Sequence, residues 1–203
     1  MDIIELRNIT KVYNKHIVLN NLTYNFKRNM TYLLVGANGS GKSTLIKIIL
    51  ALVKPTIGTA KLNEERIGYV PEKGSFPEIV QIDNFLESIA LIRNLHPSQI
   101  KDKINFYLSY WELDGSKRMD KLSKGMMQKV LIIQAMIHSP NLYIFDEPIN
   151  GLDFESQKKF FYCINDLKTK STIIIATHFR DYYQNLANKI IYINNGGFDE
   201  ESI

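Results

Sequence analysis

The run LLVGANGSGKSTLIKIIL, residues 33–50, constrains this chain more than any other segment. Apolar residues stop at a glycine-rich loop, and apolar residues at helical spacing resume immediately after it. Within it, GANGSGKST matches G-x-x-x-x-G-K-[ST] in full, in the strand–loop–helix setting that a phosphate-binding loop requires. Glycines let the backbone curl so that successive N–H groups face phosphate oxygens, and the helix N-terminus adds its partial positive charge. The loop therefore nominates Gly36, Asn38, Gly39, Ser40, Gly41, Lys42, Ser43 and Thr44 as nucleotide contacts. Lys42 would neutralise the β- and γ-phosphates, and Ser43 would give its hydroxyl to Mg²⁺.

The rest of the chain is patterned to suit such a loop. Residues 1–35 alternate apolar and polar with asparagine-rich turns, which reads as strands. Residues 42–53 read as a helix with Leu45, Ile46, Ile49 and Leu52 facing the core. From Glu72 to Leu122 the texture turns helical. Two helices are expected over 83–95 and 97–111, the first with Asp83 as N-cap, the second with Pro97 at its first position. A third covers 123–137. Residues 141–148 and 171–178 read as buried strands flanking an amphipathic helix over 155–170, and 189–197 as a closing edge strand and turn. The expected fold is α/β: a core with a parallel sheet, an N-terminal antiparallel β subdomain and a helical insert. As one domain over 1–203, the core would take 1–72 and 131–203, and the helical subdomain 73–130.

In LYIFDEP, four apolar residues end abruptly in two carboxylates. A strand that leaves its acids at the carboxyl edge of a parallel sheet puts them where such sheets bind ligands. Asp146 would hold Mg²⁺, and Glu147 would act as general base on the attacking water. His178 follows the apolar run TIIIA and belongs at a strand end near this pair.

LSKGM, residues 122–126, stands between the phosphate loop and the acid pair. In that position it resembles the signature motif of ABC-type ATPases, and the resemblance extends over essentially the whole chain. It implies a fold of the P-loop NTPase class and a Mg²⁺-dependent ATPase working as a dimer with a second ABC ATPase subunit. Ser123 and Gly125 would cap the ATP held by the partner, and Ser123 also suits a helix N-cap. The resemblance further implies that His178 bonds the γ-phosphate, that Asp153 in NGLD lies in the loop crossing the dimer interface, and that Tyr13 stacks on adenine. Glu72, in YVPE, stands where the family usually has a glutamine that touches Mg²⁺, and is assigned to the metal. Lys124 and Met126 also depart from the common LSGGQ. Together YVPE and LSKGM resemble an exporter branch of the family, which implies efflux, with peptides as a candidate cargo.

Composition bounds the partners. The net charge is +4 from 25 basic and 21 acidic residues with no Lys/Arg block, so nucleic acid is not expected. The single cysteine, Cys163, excludes an internal disulfide and suits a reducing compartment. No apolar run reaches the roughly 18 residues needed to span a bilayer, and no secretory signal is apparent. The expectation is a cytoplasmic subunit held on the inner face of the cell membrane by transmembrane permease subunits. The alternative is a soluble ABC ATPase acting on nucleic acid or the ribosome. Relatives of that kind usually carry paired domains, coiled-coil insertions or zinc cysteines.

Overall fold

The computed structural model describes residues 2–194 and 196–202. These form two sheets. A three-stranded antiparallel sheet has the order β2-β1-β4, built from β1 (Asp2–Tyr13), β2 (His16–Lys27) and β4 (Ile57–Leu62). Tyr13 pairs with His16, so β1 and β2 are joined by Asn14 and Lys15 alone, both at positive φ (47° and 67°). Two such residues make the tight hairpin turn whose twist matches that of the strands.

The second sheet has the order β5-β6-β7-β3-β8-β9. Its strands are β3 (Thr31–Val35), β5 (Ile67–Val70), β6 (Leu142–Asp146), β7 (Thr172–Thr177), β8 (Lys189–Asn194) and β9 (Gly197–Ser202). All neighbours pair in parallel except β8 with β9. The apolar runs of β6 and β7 follow from burial on both faces. Leu142, Ile144, Ile174 and Ala176 pack toward the antiparallel sheet and α1 (Lys42–Ile49). Tyr143, Phe145, Ile173 and Ile175 point the opposite way, into the helical core. That core takes α2 (Ile82–Ile92), α3 (Pro97–Trp111), α4 (Lys124–Met136) and α5 (Phe154–Leu167). α3 lays Ile100, Ile104, Leu108 and Trp111 along one stripe.

Several local expectations are corrected. α1 stops at Ile49 because Ala51 turns left-handed (φ 56°), which leaves Leu52 63% exposed rather than in the core; Ile48 is buried instead. α2 is capped by Gln81, not Asp83, which sits in its first turn. β8 is not the edge: Gly196 at φ 76° turns the chain back and β9 covers β8, while Asn195 lies outside the described residues. β4 and β5 complete the two sheets from a stretch whose sequence pattern suggests neither. α4 also runs unbroken through position 130, where a boundary between core and helical insert was expected.

Candidate active site

β3, β6 and β7 are adjacent and parallel, so the segments that leave their carboxyl ends meet. After β3 the loop 36–41 curls through Gly39 (φ 81°) and Gly41 (φ 106°), conformations that a side chain would strain. Leu19 and the Val18 carbonyl of β2 also press against Gly41, 2.7 and 3.1 Å from where a Cβ would sit. Lys42, 6% exposed, lies back over the loop: its Nζ donates to the carbonyls of Gly36 (2.6 Å) and Ala37 (3.1 Å). Burial lowers its pKa, and the carboxylates of Glu147, Asp146 and Glu72 pull the other way. Ser40 Oγ is buried without a partner.

One cavity of about 190 Å³ opens above this loop, lined by Asn38, Gly39, Gly41, Lys42, Ser43 and Thr44 together with Glu72, Asp146 and Glu147. Asp146 is 2% exposed and its Oδ1 is buried with no partner among the described residues. Its pKa is raised, first by burial and then by Glu72 and Glu147, against the Ser43 hydroxyl and Lys42, which lower it. Three carboxylates face one lysine there. An orphaned carboxylate oxygen beside a serine hydroxyl, in an excess of negative charge, fits a hard cation. Among the described residues no set of three or more His, Cys, Asp and Glu side chains forms a metal cage. That suits Mg²⁺, which takes one or two carboxylates and completes its octahedron with water and substrate phosphates.

Glu147 is 5% exposed with φ 50°, a backbone state that needs support from its surroundings. The support comes from the end of β7. Glu147 Oε1 accepts from His178 N (3.0 Å) and His178 Nδ1 (2.7 Å), and Oε2 accepts from the Thr177 hydroxyl (3.0 Å). With Nδ1 held against the carboxylate, Nε2 is the ring nitrogen left to meet other groups. Thr177, fully buried, also accepts from Phe179 N at 3.1 Å.

The remaining nominated residues lie outside this cavity. Tyr13 is 43% exposed at the tip of the β1–β2 hairpin, with Lys11 Nζ 4.7 Å from its ring centre. Ser123 caps α4, its Oγ accepting from Met126 N at 3.2 Å. Asp153 caps α5 through Ser156 N (2.9 Å) and Ser156 Oγ (3.0 Å). Gly125 abuts the 150–153 turn: a Cβ there would lie 2.6 Å from the Gly151 carbonyl oxygen. The Lys124 stem crosses that same glycine. Sequence reasoning missed Thr177, whose only signal was its place beside His178, and Gln128, whose Nε2 donates to the Pro148 carbonyl at 2.8 Å.

Residues 19–150 match the ABC transporter family. The zinc import ATP-binding protein ZnuC of Rickettsia conorii is 34% identical over 95% of this chain and 83% of its own length. The ZnuC of Mannheimia succiniciproducens is 35% identical over 95% of this chain and 73% of its own length. A solved ATP-binding subunit of an ABC transporter superposes with a TM-score of 0.91 at 27% identity, covering 99% of this chain and 90% of that one. Both named relatives are import proteins, which runs against the exporter branch and peptide efflux expected from YVPE and LSKGM. Two short motifs with three unusual residues weigh less than identity spread over the whole chain. With the match and the fold in agreement, the chain belongs to the ABC transporter family as an ATP-binding subunit, an ATPase coupled to transport that uses ATP and Mg²⁺.

Proposed function

We propose that this chain hydrolyses ATP in a site completed by a second ABC ATPase subunit, and that closure of the pair drives transmembrane permease subunits. The observation that carries this reading is a division of the nominated residues. Lys42, Ser43, Asp146 and Glu147 share one cavity, whereas Ser123 and Gly125 stand exposed or half-buried outside it, at the N-terminus of α4. A capped helix start beside a glycine is a phosphate-facing surface that this chain's own cavity does not use.

In the proposed reaction, Lys42 and the loop amides take the phosphate charge, and Tyr13 stacks on the adenine. Ser43, Asp146 and Glu72 would hold Mg²⁺, which when bound neutralises charge on the β- and γ-phosphates. Glu147 polarises the attacking water, and His178, tied to Glu147, turns its ring toward the γ-phosphate. Asp153 lies in the turn that would meet the partner. The subunit would sit in the cytoplasm, peripheral on the inner face of the membrane through its permease contacts.

For direction, identity to import subunits over 95% of the chain supports uptake. The cargo is read by the permease. With the permease reconstituted, stimulation of ATP turnover by zinc would support uptake, and stimulation by an amphipathic peptide would support efflux.

The test of the shared site is ATP turnover against protein concentration, for wild type and Glu147→Gln. Turnover should rise with the square of concentration at low levels, and the variant should be inactive yet form dimers on MgATP in sedimentation. Turnover linear in concentration with a purely monomeric protein overturns the reading.

A further inference from the structure

We propose that Gln128 is a positioning residue which ties the start of α4 to the turn carrying Glu147. Nucleotide seated against Ser123 then conditions hydrolysis at this chain's own cavity. The proposal rests on the shared-site reading.

The first turns of α4 touch the segment after β6 at successive points. Gly125 makes room for the Gly151 carbonyl, whose oxygen lies 2.6 Å from where a Cβ would sit. The Lys124 stem lies 3.2–3.4 Å from the Cβ position of Gly151. Lys129 Nζ stands 3.7 Å from Asp153 Oδ2. One turn in from Lys124, Gln128 donates Nε2 to the Pro148 carbonyl at 2.8 Å.

These contacts are unequal. Asp153 is 66% exposed on its side chain, so its pairing with Lys129 is screened and weak. The glycine contacts are close packing and set distance without direction. Gln128 alone is both directional and buried, 5% exposed, and leaving a buried acceptor unpaired is costly. Its acceptor is the carbonyl of the residue next to Glu147, the one residue of the cavity with a left-handed backbone and a side chain to strain. Glu147 is thereby held from two sides. Thr177 and His178 fix its carboxylate from the end of β7, and Gln128 fixes the Pro148–Ile149 peptide, one residue on, from α4. A displacement of the Ser123–Gly125 helix start therefore reaches Pro148, the neighbour of Glu147, through one helix and one hydrogen bond.

Contact by itself does not establish energetic coupling, so the test must measure coupling. Gln128→Met keeps the length and removes the donor; Gln128→Glu keeps the shape and offers only acceptors. Nucleotide affinity of the isolated chain should stay within about twofold, because the loop 36–44 is untouched. The kcat of the dimer should fall about tenfold, and the Hill coefficient for ATP should drop to 1 from a wild-type value above it. In a cycle of Ser123→Ala with Gln128→Met, the losses in kcat should fail to add, since both break one path. Wild-type kcat and Hill coefficient in both variants would overturn the proposal. So would full additivity in the cycle, or nucleotide affinity and kcat falling in parallel with Tm, which marks a merely structural role. A wild type that turns over linearly with concentration brings down the shared-site reading itself, and is told apart because it needs no variant.

Discussion

Glu147 concentrates the chemistry of this molecule in one residue. Its side chain is buried, its backbone is left-handed, and its carboxylate accepts three hydrogen bonds from two consecutive residues at the end of β7. Two of the three come from His178, which the sequence flagged. The third comes from Thr177, which it did not, because a threonine in an apolar run reads as β-strand filler. A hydrogen bond to a charged group contributes roughly 1.5–3 kcal/mol. Thr177→Val, nearly isosteric, should therefore lower kcat by about tenfold or more with nucleotide affinity unchanged, and Thr177→Ser should restore it. Steady-state turnover with a parallel nucleotide titration decides this. A Val variant as active as wild type would mean that His178 alone is sufficient to hold Glu147.

At the scale of elements, helix starts were legible where a side chain caps the backbone. Ser123 accepts from the amide three residues on, as its type and position suggest, whereas the Asp153 cap on the Ser156 amide emerged only in the structure. Asp153 is also held below the usual carboxylate range, first by the Ser156 amide and then by the Ser156 hydroxyl. Asp153→Ala should cost about 1 kcal/mol, which at this chain length is about 2–4 °C in Tm, and Asp153→Asn should recover most of it. Calorimetry of the three proteins is the measurement, and an Ala variant with wild-type Tm would show that α5 is held by packing alone. Gln81 caps α2 with no side-chain hydrogen bond, so Asp83 was the better sequence signal and the wrong residue. The decision there was tertiary: Ile82 N and Asp83 N donate to the carbonyls of Lys117 and Gly115, which satisfies two first-turn amides from outside the helix, and Asp83 Oδ1 accepts from Asn84 N.

At the scale of the whole molecule, stability and pH are linked through groups that folding buries. His138 joins the end of α4 to β5, its Nε2 3.2 Å from the Ile67 carbonyl. Its pKa is lowered from the ordinary 6.5, first by burial and then by Arg93, with Lys103 adding in the same sense and backbone contacts opposing. The folded state thus favours the neutral ring. Its contribution is complete above 6.5, and it is lost as pH falls from there through the lower folded value, because the unfolded chain takes up the proton first. Melting curves should show Tm falling across that window. His138→Phe should flatten that part of the profile, and an unchanged slope in the variant would assign the loss to other groups.

The sequence by itself determined the parts of this protein whose physics is local. A phosphate loop is nine consecutive residues, a cap is a contact three residues long, and a doubly buried strand must be apolar throughout, so GANGSGKST, Ser123, LYIFD and TIIIAT were all readable in place. The exposed turn of Ala51 and the return of β9 were not: Ala51 takes a left-handed state with no glycine or asparagine to signal it, and the Gly196 turn is held by Asn20, far along the chain. Tertiary structure alone decided the order β5-β6-β7-β3-β8-β9, and with it which strand ends meet. It brought Thr177 and His178 to Glu147 across about thirty positions, and Gln128 to Pro148 across twenty. Those bonds form because packing on both faces of the sheet fixes its register, and a one-dimensional pattern carries no record of which distant polar groups that register will align.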